Sequence, residues 1–87
     1  MNQFAAEWKD AENNRIVEYT VAYEVNDSGI SIKNLTPTKV SFTNGNRSIG
    51  VHTAKGQKMI GSQISSAGQI DIVAQQIAEH HGLMASL

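Results

Sequence analysis

Cysteine is absent from the 87 residues, which excludes disulfides, thiolate metal sites and cysteine nucleophiles. Proline occurs once, at Pro37, and aromatic residues make up only 6% of the chain. No apolar run approaches the roughly 20 residues that a membrane helix needs. The opening MNQFAAEWKDAENN has no basic segment followed by an apolar one, so no signal peptide is expected and the cytoplasm is the default location. Acidic residues are missing from a long internal stretch. Between Ser28 and Ile70 lie Lys33, Lys39, Arg47, Lys55 and Lys58, with no Asp or Glu among them. Residues 1–27 carry a net charge of −4 and residues 71–87 one of −2, so the near-neutral total of −1 hides a basic middle between acidic ends.

What is present fits one small domain spanning residues 1–87. A chain of this size buries about 60–65% of its unfolded surface, so its core is modest and a homodimer that adds burial is a reasonable expectation. Arg15 to Val25, RIVEYTVAYEV, carries the plainest pattern. Val17, Tyr19, Val21, Tyr23 and Val25 occupy every second position, which gives a strand one apolar and one mostly polar face. Asn26-Asp27-Ser28-Gly29 reads as a turn. A strand from Ile30 follows, with Tyr23 set against Ile32 and Val25 against Ile30 so that all four face the same way. Thr36-Pro37 is expected to interrupt the sheet, because proline cannot donate to a ladder.

Asn44-Gly45 between alternating runs predicts a second hairpin. It joins a strand over Thr38–Phe42 to one over Arg47–Thr53, with Val40 facing Ile49 and Thr38 facing Val51. Ala54-Lys55-Gly56-Gln57 then reads as a turn into a fifth strand, Lys58–Ile64, with Ile60 and Ile64 inward. At the start of the chain, Phe4, Trp8 and Ala11 recur at helical spacing and predict a short helix over residues 2–12; the alternative is an irregular arm that docks only in a dimer. At the other end, Ser66-Ala67-Gly68-Gln69 has the form of a capping box. Ile70, Val73, Ala74 and Ile77 make one apolar helical stripe after it, Asp71 suits the first turn, and Gly82 with Leu83 can close the helix. The expected fold is therefore α+β: an antiparallel meander of about five strands, with a short N-terminal helix and a C-terminal helix packed on one face.

Chemistry is sparse. Lys33 and Lys39 share the predicted outward face with Ser31, Ser41, Ser48, Gly50 and His52, while Lys55 and Lys58 sit at a predicted hairpin tip. That surface is positive and small-residued, yet no aromatic alternates with the charges, and single-strand readers gain about 1–3 kcal/mol per base from stacking. Double-stranded RNA-binding domains share a helix–sheet–helix order, but their basic cluster at the second helix has no counterpart in Ser65 to Asp71, so no family is assigned. His80 and His81 are neighbours on a helix and point about 100° apart, unlike the two histidines four apart of a metalloprotease. Glu18 and Glu24 lie roughly 20 Å apart along a strand, too far for paired carboxylates.

The composition thus favours a non-enzymatic protein-interaction module without cofactor or metal, binding a protein partner or a second copy of itself. The alternative is a nucleic-acid binder using the basic region 28–70. The candidate binding residues are Lys33, Lys39, Arg47, His52, Lys55, Lys58 and the outward-facing Ile72.

Overall fold

The computed structural model describes residues 2–27, 29–45 and 47–81. Four antiparallel strands run in sequence order: β1 (Asn2–Asp10), β2 (Arg15–Asn26), β3 (Gly29–Phe42) and β4 (Arg47–Gly50). Two helices follow, α1 (Ala54–Ser66) and α2 (Gln69–His80), and both pack on the same face of the sheet. The molecule is 18 Å across its thinnest direction, as one sheet layer and one helix layer require.

β2 is the centre of the design. Its odd positions Val17, Tyr19, Val21 and Tyr23 are buried and meet Val40, Val51, Ile60, Ile64, Val73 and Ile77 in a single core. The expected register holds at the β2–β3 turn, with Tyr23 opposite Ile32 and Val25 opposite Ile30, and Val40 faces Ile49 across β3 and β4. The apolar stripe of α2 also lies as expected: Val73 and Ile77 are fully buried, while Ile70 and Ala74 are half-buried.

Residues 2–10 are a strand, not the expected helix. Phe4 and Trp8 fit helical spacing, but Ala6 between them completes a period of two, and Phe4, Ala6, Trp8 and Asp10 all turn toward the core side. A helix this short is marginal in water. Pairing offers nine cross-strand partners instead, from Asn2 opposite Tyr23 to Asp10 opposite Arg15. A 3-10 turn at Ala11–Asn13 and Asn14 at φ 51° close the hairpin, and asparagine tolerates that left-handed conformation.

The expected fifth strand is the helix α1, so the sheet has four strands rather than about five. Ile60 and Ile64 are buried as expected, but as neighbours one helical turn apart. β4 accordingly ends at Gly50 rather than Thr53. Val51 turns inward, its N–H donating to the Thr38 carbonyl at 2.9 Å, and the Thr53 hydroxyl accepts from the Gly56 N–H at 3.0 Å to cap α1. Lys55 and Lys58 therefore belong to a helix and not to a hairpin tip. The expected capping box does not form. Ser66 is the last residue of α1, and the N-cap of α2 is Gly68 at φ 74°, with no side-chain cap. Gly82 and Leu83 lie outside the described residues.

β3 passes through Pro37 without a break. Two β-bulges make this possible: the pairing shifts between Ala22 and Tyr23 and again between Glu18 and Tyr19, leaving Lys33 and Thr38 as extra residues on β3. Each bulge flips the inward–outward parity of the residues beyond it. Ile30 and Ile32 face inward, then Leu35 and Pro37, then Val40. Pro37 adjoins a bulge and lies beyond the reach of β4, where a missing N–H costs no bond to that strand.

Two glycines separate space from backbone strain. A Cβ at Gly61 would lie 3.8 Å from Leu35 and 4.0 Å from Pro37, ordinary contact distances. Gly61→Ala is therefore expected to stabilise the protein by about 0.5–1 kcal/mol through helix propensity. Gly68 has open space around it but a positive φ, so Gly68→Ala should destabilise by about 1–2 kcal/mol. Urea midpoints that move in opposite directions are the check.

Candidate functional site

The outer face of the sheet, opposite the helices, is where the sequence places a basic surface. The bulges change its electrostatics. They slide β3 along β2 by two residues, so that Glu18 lies opposite Lys39, and the pair approaches to 3.9 Å. At the other end Lys33 lies 3.8 Å from Glu24. Both pairs are half exposed and contribute little stability, but they leave the face locally neutral, and Glu7 on β1, opposite Glu18, adds a further acid.

Of the remaining candidates only His52 shares that face, where its ring takes the place of a Gly50 side chain opposite Lys39. Arg47 is exposed on β4, beside Phe42 and Ile49. Lys55 and Lys58 are exposed on α1, in the helix layer, and Ile72 is 47% exposed on α2. The structure thus disperses the seven residues over several surfaces.

Sequence reading missed a cluster at the β1–β2 turn. The side chain of Asp10 is 6% exposed and accepts from Asn13 Nδ2 and from Arg15 Nε, each at 2.8 Å. Arg15 also donates through Nη2 to Gln63 Oε1 of α1 at 2.7 Å, and its guanidinium lies 5.4 Å from the centre of the Trp8 ring, within cation–π range. The Asn13 hydrogen bond, reinforced by the bond to Arg15 and its charge, holds the Asp10 carboxyl below its ordinary 3.8 despite the opposing effect of burial. A carboxylate with a lowered folded pKa stabilises the protein above pH 3.8, and that contribution is lost as the pH falls through the folded value. Asp10→Asn should therefore lose stability relative to the wild type near neutrality, with the gap narrowing below pH 3.8 in urea titrations. The signal was an acid and a base flanking an Asn-rich turn.

This cluster forms one wall of a cleft of about 610 Å³ lined also by Phe42, Ser62 and Ser66. A smaller one of about 380 Å³ shares Asn13 and Phe42 and continues to Arg47 and Ile49. The clefts offer stacking and hydrogen bonding. Their buried carboxylate is already bound by Asn13 and Arg15, and Asp10, Glu12, Arg15 and Arg47 leave no net charge.

At the far end of the sheet, the Tyr23 hydroxyl and His81 Nε2 are 2.7 Å apart, and the His80 ring meets Phe4 edge-on at 5.9 Å. The two histidines thus serve different strands. Among the described residues no cluster of three or more His, Asp or Glu is placed to hold a metal, and no helix is long and apolar enough to cross a membrane.

The third feature is the sheet's edges. β4 is four residues long. Beyond it, the open stretch of β3 carries two bulges, Lys33 and Pro37, and α1 runs beside Asn34, Leu35 and Thr36. These are the devices by which proteins blunt an edge. β1 has none of the geometric ones: nine residues, in unbroken register with β2, with no proline, glycine or bulge. Glu7 and Lys9 bring charge on the outer face, and Asp10, at the last position, turns inward and is paired with Arg15. On the inner face Phe4, Ala6 and Trp8 are only half-buried against the core. Sequence reading could not find this edge while residues 2–12 read as a helix.

Compared with protein-family models, with curated proteins and with solved structures, the chain finds no match.

Proposed function

We propose that the protein is a small non-enzymatic interaction module whose working surface is the free edge of β1, where a strand of another protein chain adds to the sheet. The observation that carries this reading is the asymmetry of the edges: one is shortened, bulged and flanked by α1, and the other is long and unbroken. Strand addition satisfies a row of backbone N–H and C=O groups at once, and the half-buried Phe4 and Trp8 supply apolar area beside it. Dispersal of the basic residues and neutralisation of Lys33 and Lys39 turn the reading away from the sheet face.

Size-exclusion chromatography with light scattering, together with amide hydrogen exchange, tests it. Assembly with slowed exchange across residues 2–10 is the expected result. A strict monomer whose β1 amides exchange freely would count against it, as would an oligomer that leaves them free.

A nucleic-acid reading keeps one specific support: Arg47, Lys55 and Lys58 have no acidic partner among the described residues. It predicts binding to duplex or single-stranded probes that falls steeply with salt. No binding at low salt removes it.

A further inference from the structure

Resting on the β1-edge reading, we infer that the strand which pairs with β1 is β1 of a second copy, antiparallel, with the two-fold axis passing at Ala6. The sequence of β1 is nearly palindromic about that residue. Reading outward from Ala6, the second positions are aromatic (Phe4 and Trp8), the third are long and polar (Gln3 and Lys9), and the fourth are Asn2 and Asp10. An isologous interface needs such a self-complementary surface, since each residue i meets j while j meets i.

Geometry narrows the choice of axis. Core-side residues must face core-side residues across the new pair, so the axis passes at a residue and not between two. At Glu7 it would set two glutamates against each other. At Trp8 it would pair only residues 6–10. At Ala6 all nine residues of β1 pair. Phe4 then meets the second copy's Trp8 on the core side. On the outer face Glu7 meets Ala5 and Lys9 meets Gln3, so no charge directly opposes its like. The two four-stranded sheets become one of eight, and the half-buried aromatics of both copies lose their exposure together.

Ala5 gives the test. It is exposed, its neighbour on β2 is Thr20, and in this register it faces Glu7 of the second copy. Ala5→Lys creates two ion pairs per dimer and Ala5→Glu two repulsions. With about 1.4- to 5-fold per cross-strand pair, the dimer dissociation constant should fall about 2- to 30-fold in the first and rise by a similar factor in the second. The fluorescence of Trp8, the only tryptophan, followed against concentration, reads that constant. Single cysteines add an independent measure, because the chain has none of its own: Ala6→Cys should cross-link the dimer under mild oxidation far better than Ala5→Cys.

If both Ala5 variants weaken the dimer and Ala5→Cys cross-links best, the axis lies at Ala5 and the inference is overturned while the β1-edge reading stands. If a dimer forms through β1 but neither variant alters it, the same holds. A monomer at every concentration removes the second copy altogether. Exchange protection of β1 by another protein chain would then be all that keeps the edge reading.

Discussion

Ile64→Ala is expected to destabilise the protein by about 2–5 kcal/mol, the range for removing a large aliphatic side chain from a packed core. Ile64 is fully buried, and it stands on α1 where that helix meets both the sheet and α2. Truncation removes apolar area and leaves a cavity that rigid neighbours fill only in part. Since small domains have total stabilities of about 5–15 kcal/mol, much of the margin disappears. Met59, on the same helix and 59% exposed, is the control: Met59→Ala should stay within about 0.5 kcal/mol. Urea unfolding followed by circular dichroism measures both. Equal losses would mean that the inward face of α1 is misassigned.

Tyr19→Ala should cost about 3–5 kcal/mol. Tyr19 is 2% exposed and sits between Ala6 of β1 and Pro37 of β3, so its ring fills the middle of the sheet's inner face. Burial also raises its phenol pKa above the ordinary 10.0. The unfolded chain then ionises first. Stability from this group is complete below pH 10.0 and declines as the pH rises through that value toward the folded one. Tyr19→Phe should keep most of the packing and remove that share of the alkaline loss. Plotting the stability difference between wild type and Tyr19→Phe across the alkaline range tests this; a constant difference would show that the hydroxyl ionises equally in both states.

How much of this was legible turns on one ambiguity. Residues four apart lie only about 40° from each other around a helix, and on the same face of a strand. Phe4 with Trp8, and Ile60 with Ile64, satisfy both, and each pair belongs to the structure opposite to its reading. The position between them decides. Ala6 is apolar and continues an alternation, whereas Ser62 is polar and breaks one. β2 had no such ambiguity, since five apolar residues in strict alternation fit only a strand, and Asn44-Gly45 set the Val40–Ile49 pair. The bulges were invisible for another reason. Nothing local marks Lys33 or Thr38 as extra; their role comes from keeping Ile32, Leu35, Pro37 and Val40 all inward against β2. The acid-free run was legible as a count, but the pairing of Lys39 with Glu18 depends on the register slide those bulges produce.

Every strand of this sheet precedes every helix along the chain. During synthesis the sheet's inner face, with Val17, Val21 and Val40, emerges well before Ile64, Val73 and Ile77 exist to cover it. Domains fold as units as they leave the ribosome, and this one cannot complete its core until the last helix is made. Until then the apolar residues of that face have nothing to cover them, and the unpaired edge of β1 lies next to them. Completion of the core therefore waits on residues 54–77.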